Sequence, residues 1–267
     1  MSVTITQPEK NIKAELDINN NRYGIIGKQI LESSDIYSAR TIINADRKNL
    51  IINGGFDIWQ RGTGLSSNNA YLVDRWRSTY YTGGLTQYVE RVNVDNSNIK
   101  TKYAARVHSN GVNTTSNSVE QFRQTFESSV GLDNGGNTQP MAVSFWAKGI
   151  KKQDINLYGS NSSDDQTFTI TSDWQYYSFT FRRSAFSLLE FEFTPSDIID
   201  FTVTQIQLEI GSEATEFEQR HIAVEYELCR RYARLADLNN QAAKFSYEMR
   251  ATPSVSGSGP YLYEAEL

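Results

Sequence analysis

The sequence predicts a mainly β chain, built as an antiparallel β-sandwich of the jelly-roll kind. A distinct N-terminal segment precedes the sandwich, and one helix lies on its C-terminal side. Three observations carry this expectation. Several runs alternate apolar and polar residues with period two, the pattern of strands with one buried face. Stretches such as "SNGVNTTSNS", "LDNGGNTQ" and "GSNSSDDQ" separate those runs with turn-forming residues. Aromatics make up 12% of the 267 residues, with 15 Tyr and 13 Phe, and flat rings suit a pleated, half-buried surface.

Residues 1–46 differ from the rest. Short apolar patches (Ile25, Ile26, Ile30, Leu31, Ile36, Ile42, Ile43) alternate with Asn-rich spacers, too discontinuous for a core of their own. Such a segment is expected to be ordered by a partner or by copies of itself, leaving 47–267 as the sandwich. "NLIINGGFDIWQRGT" (49–63) reads as its first strand, with Gly54-Gly55 allowing a bend and Trp59 anchoring the core. A phosphate-loop reading fails because no Gly-Lys-Ser/Thr follows the double glycine. Farther on, Tyr103, Ala105 and Val107 share a face, as do Met141, Val143 and Phe145, with Trp146 on the opposite side. Leu189, Phe191 and Phe193 oppose Glu190 and Glu192, and Ile206, Leu208 and Ile210 oppose Gln205, Gln207 and Glu209. "HIAVEYELCRRYARLAD" is read as a helix over 221–235, with Ile222, Tyr226, Cys229 and Ala233 at helical spacing. Early acids and late bases there suit the helix dipole. The remainder reads as one or two closing strands.

Composition excludes several functions. A net charge of −5 with no basic cluster argues against nucleic-acid binding, which needs cations to displace counterions. No apolar run is long enough for membrane insertion, and "MSVTITQPEKNIKAELD" has no secretory apolar core. Cys229 is the only cysteine, so stability is expected from packing or oligomerisation rather than disulfides. The two histidines, His108 and His221, belong to no nucleophile or metal motif. Asp164-Asp165 is the most conspicuous acidic loop, but adjacent carboxylates on a turn rarely flank one glycosidic bond. No catalytic residue and no resident metal is expected, and the chain is not read as an enzyme.

The blocks "NLIINGGFDIWQRGT", "YLVDRWR", "VSFWAKG", "DWQYYSFTF", "IQLEIGSEATEFEQR" and "ELCRRYARL" occur in this order between Asn49 and Leu235. In this the chain resembles tailed-bacteriophage fibre proteins with a carbohydrate-binding-module-like jelly-roll domain, and the terminal "EAEL" resembles the ends of such proteins. The resemblance implies a virion structural protein, a tail or head fibre component used for host attachment. It implies residues 1–46 as the mount on other virion proteins, and a homotrimer. The alternatives are a structural adaptor or capsid decoration protein without glycan binding, or a glycan-degrading enzyme.

A bacterial surface polysaccharide is the expected ligand, held by rings that stack on apolar sugar faces. The candidates are Trp76, Tyr80 and Tyr81, concentrated beside Arg75 and Arg77, together with Tyr158. Trp59, Trp146 and Trp174 are assigned to core packing, and Arg61 with Asp74 to a structural ion pair. A structural calcium ion, by analogy with sugar-binding jelly rolls, would draw oxygens from Asp57 or Glu209 and carbonyls near Asn53.

Overall fold

The computed structural model describes residues 49–66, 69–80, 87–109, 120–130, 138–150, 153–159, 166–182, 186–193, 199–236, 249–258 and 260–266. Residues 1–46 and the Asp164-Asp165 loop lie outside them. The described chain is mainly β, with two six-stranded sheets and a small third one. Across the first sheet run β1 (Gly64–Ser66), β4 (Gln87–Asn93), β5 (Tyr103–Ser109), β12 (Asp200–Ile210), β7 (Pro140–Gly149) and β10 (Gln175–Arg182). The second holds β2 (Ala70–Val73), β3 (Trp76–Tyr80), β6 (Glu120–Val130), β11 (Phe186–Phe193), β8 (Gln153–Gly159) and β9 (Gln166–Ile170). All pairings are antiparallel. Strands distant in sequence are neighbours in both sheets, as the jelly-roll expectation requires.

The alternating patterns explain why the sheets face each other. Val89, Ala105, Val107, Val143, Phe145 and Val203 from the first sheet share one core with Trp76, Phe122, Leu157, Leu189 and Phe191 from the second. Phe145 meets Phe191 edge-on across the layers at 5.2 Å, a favoured geometry for two rings.

Three expectations need correction. First, 49–63 is an irregular segment rather than a strand. Its apolar residues alternate because it threads between two cores. Ile51 and Phe56 enter the sandwich, while Ile52 and Ile58 join Cys229 and Tyr232 beneath the helix. Side chains take the place of a strand ladder. Asn53 Nδ2 donates to the carbonyls of Ile58 and Asp74 (2.8 and 3.1 Å), and Asn53 Oδ1 accepts from Ile58 N. Gly54 serves close approach, since a Cβ there would lie 2.1 Å from the Ile206 carbonyl oxygen. That contact meets the bulge of β12 between Thr204 and Gln207, where Gln205 takes φ 52°. Trp59 packs only partly buried at the core's margin; Phe56 and Trp76 anchor it.

Second, the helix α1 runs Ile222–Arg230, capped by His221, and does not continue to 235. Residues Ala233–Ala236 instead form β13, which pairs with β15 (Tyr261–Glu264); β14 (Ser254–Ser256) flanks the other side. A strand partner downstream wins over helical continuation. The expected apolar stripe is split: Ile222 and Tyr226 are exposed, while Cys229 and Ala233 are buried, with Glu225 buried beside them. Third, Gln207 and Glu209 do not face solvent. Residues 211–218 fold over them, with Glu209 accepting from Thr215 N and Oγ1 (2.7 Å each) and Gln207 Oε1 accepting from Glu218 N.

Candidate functional site

The sequence-predicted glycan residues do not form one described site. Trp76 is fully buried, stacked on Phe122 at 5.0 Å and donating Nε1–H to the Asn53 carbonyl at 3.2 Å. A ring with no exposed face cannot be a sugar platform, so Trp76 belongs to the core. Tyr80 ends β3 and Tyr158 lies in β8 opposite Glu190; their side chains, and all of Tyr81, fall outside the described residues. The neighbouring arginines are structural too. Arg75 is buried, ion-paired to Glu266 at 2.5 Å, and lies over the Tyr232 ring at 3.6 Å. The expected Arg61–Asp74 pair is present at 3.6 Å, but Arg61 sits closer to Glu264 and Glu266, at 2.9 and 3.0 Å. Arg250 donates to the carbonyls of Ala265 and Glu266, fastening that segment further. Burial raises the Asp74 carboxyl above its ordinary value, with Arg61 opposing the rise. These groups hold the fold together.

Two of the oxygen donors expected for a calcium ion are already engaged within the chain. Glu209 is occupied by Thr215 and Gln207 donors, and the Asn53 carbonyl accepts from Phe56 N and Trp76 Nε1. Burial, with Glu225 adding to it, raises the Asp57 carboxyl above its ordinary value. No three His, Cys, Asp or Glu cluster at metal-binding geometry among the described residues.

The outer face of the first sheet offers a different site. Residues 211–218 cover the half carrying Gln207 and Glu209; the other half is open. Register places Arg106 and Lys148 on either side of Thr202, with His108 opposite Asp200 and Glu90 opposite Arg106. One step along β7, Trp146 lies opposite Thr204 and beside Tyr176 of β10. The two rings are 5.7 Å apart, tilted 57°, and Tyr176 is 47% exposed. A groove of about 480 Å³ runs beside them, lined by Val92, Arg106, Lys148, Ile150, Asp200 and Thr202.

Its charges are paired. Arg106 grips Asp200 with Nε at 2.9 Å and Nη2 at 2.6 Å, and its Nη1 lies 3.5 Å from Glu90. These contacts, the Asp200 hydrogen bonds foremost, raise the Arg106 pKa. Lys148 Nζ donates to both Asp95 oxygens (2.8 and 2.9 Å) and sits over the Trp174 ring at 5.0 Å; Trp174 Nε1 donates to the same carboxylate at 2.5 Å. Hydrogen bonds from Lys148 and Trp174 hold the Asp95 carboxyl below its ordinary value. The site thus combines an aromatic pair, Tyr176 exposed and Trp146 half-buried, with fixed polar groups, a combination able to receive apolar sugar faces and hydroxyl edges.

Sequence reasoning missed this site, although the outward side of Trp146 was readable. Alternation placed Trp146 opposite Met141, Val143 and Phe145, and in a two-layer sandwich that side is outside. Assigning Trp146 and Trp174 to the core, because they sit in the strand-like blocks that carry the family resemblance, overrode the pattern.

No family model and no curated protein matches the chain. Among solved structures it is similar to the Family 11 carbohydrate-binding module of cellulosomal cellulase Lic26A-Cel5E of Clostridium thermocellum: 16% identity over 57% of this chain and 98% of that one, TM-score 0.38. It is similar to the CBM22-1 xylan-binding domain from Paenibacillus barcinonensis Xyn10C, at 12% identity over 63% and 99% of the two chains, TM-score 0.36. A third is the enzymatically active domain of bacteriophage CBA120 tailspike protein 4, at 13% identity and TM-score 0.42, covering 61% of this chain and 21% of that one. These likenesses concern the fold alone.

Proposed function

We propose that the chain is a tailed-phage virion component, a tail or head fibre protein whose sandwich holds host-surface polysaccharide on the open half of the first sheet. One observation carries the binding reading: the pair of half-buried Trp146 and exposed Tyr176 beside a groove of fixed polar groups. The rest of that face is covered by 211–218. Affinity electrophoresis of the full chain through gels containing bacterial or plant polysaccharides tests it. Retardation is expected, and its loss in Trp146→Ala/Tyr176→Ala. Binding that survives that double change but fails on altering Tyr80, Tyr81 and Tyr158 would move the site to the second sheet.

The virion role is supported by the ordered sequence blocks over Asn49 to Leu235. In this reading residues 1–46 attach the protein to other virion proteins and a homotrimer buries their isoleucines. Removing those residues is expected to abolish incorporation into particles while polysaccharide binding persists. Incorporation at the normal level would refute the mount. Light scattering of the full chain tests the trimer, and a monomer at micromolar concentration would refute it.

A further inference from the structure

We propose that the groove selects uncharged polysaccharide and rejects acidic chains, because its cations are already consumed by its own carboxylates. The inference rests on the binding reading above. Recognition of a uronate or phosphate needs a cation with free donors. Arg106 directs Nε and Nη2 at Asp200 and Nη1 towards Glu90. Lys148 is shared between the two Asp95 oxygens and the Trp174 ring. Counting these groups, histidine aside, two cations face three carboxylates (Glu90, Asp95, Asp200), formally −1. An acidic chain entering there meets like charge, which disfavours a wrong partner more than it rewards a right one. A neutral chain meets carboxylates held in place by their partners, with those of Glu90 and Asp95 exposed to accept from sugar hydroxyls.

The test uses charge reversal at exposed positions. Asp95 and Glu90 side chains are 67% and 41% exposed, so Glu90→Gln/Asp95→Asn leaves the core untouched while moving the formal charge from −1 to +1. Full-length protein and variant are run through gels containing a neutral mixed-linkage glucan, xylan or galactan, and through polygalacturonate, at low and high salt. The wild type is expected to be retarded by at least one neutral polymer, with little salt dependence, and not by polygalacturonate. The variant is expected to gain salt-sensitive retardation by polygalacturonate. Wild-type retardation by polygalacturonate that disappears in Lys148→Ala would overturn the selectivity while leaving the binding reading standing. A variant that binds neutral polymer but gains nothing on polygalacturonate would also overturn it. If neither protein is retarded by any polymer, the binding reading falls and the inference falls with it.

Discussion

Two regions of this molecule use the same chemistry to opposite ends. In one, Arg61 and Arg75 meet Asp74, Glu264 and Glu266 with both guanidiniums almost wholly buried. In the other, Arg106 and Lys148 meet Glu90, Asp95 and Asp200 on a sheet face where, of these five side chains, only that of Asp200 is buried. Ion-pair geometry does not separate them; solvent does. Desolvated charges must keep their partners, because losing one strands the other in a poor dielectric. Pairs open to water contribute little to stability and so remain free to shape a binding surface.

The largest expected effect breaks the buried side. Arg75→Ala leaves Glu266 without its guanidinium and opens space against Tyr232, and is expected to cost about 3–5 kcal/mol in urea unfolding. Trp76→Ala should cost about as much, about 3–5 kcal/mol, by cavity formation, whereas Trp59→Ala at the core margin should cost only about 1–2 kcal/mol. Comparable losses at both tryptophans would contradict the assignment of Trp76 as the anchor. Gly54→Ala comes next. Its methyl would meet the Ile206 carbonyl, and the backbone shift that follows is expected to cost about 1–3 kcal/mol, read as a lowered Tm. On the open side, Lys148→Ala should change stability by less than about 1 kcal/mol, and a larger loss would erase the contrast between the regions.

The smallest effect is one of pH. Arg231 donates to both Glu127 oxygens at 2.6 and 2.8 Å, lowering the Glu127 pKa to about 2 from an ordinary 4.5. A depressed carboxylate stabilises the fold fully above its unfolded value. That contribution fades as pH falls from about 4.5 towards about 2. Glu127→Gln should therefore flatten the acid limb of the stability profile in that window and leave the slope above it unchanged.

How much of this was legible depends on where each residue's partner lies. Period-two runs identified β5, β7, β11 and β12 because one core face dictates their alternation, and that dictate is local. The segment 49–63 was misread because its alternation answers to two cores on opposite sides, a tertiary fact. The helix was overextended for a similar reason: Ala233–Ala236 has a strand partner roughly 28 residues downstream, and helical spacing carries no trace of it. Trp76 misled because aromatic residues beside arginines read the same whether a cleft or a core holds them. The Trp146–Tyr176 pair needs cross-strand register, which no single strand encodes.

The buried arginine pair also sets an order of events. Arg61 precedes Glu264 and Glu266 by 203 and 205 positions, and Arg75 precedes Glu266 by 191. Until the carboxylates are synthesised, Arg61 has only Asp74 and Arg75 lacks Glu266, so closing the sandwich around them is costly. Such long loops slow the final step of folding, because closure entropy comes before contact energy. The network therefore acts as a completeness check. A product truncated before residue 264 is expected to be less stable and more protease-sensitive than the full chain, because both buried cations lose carboxylate partners.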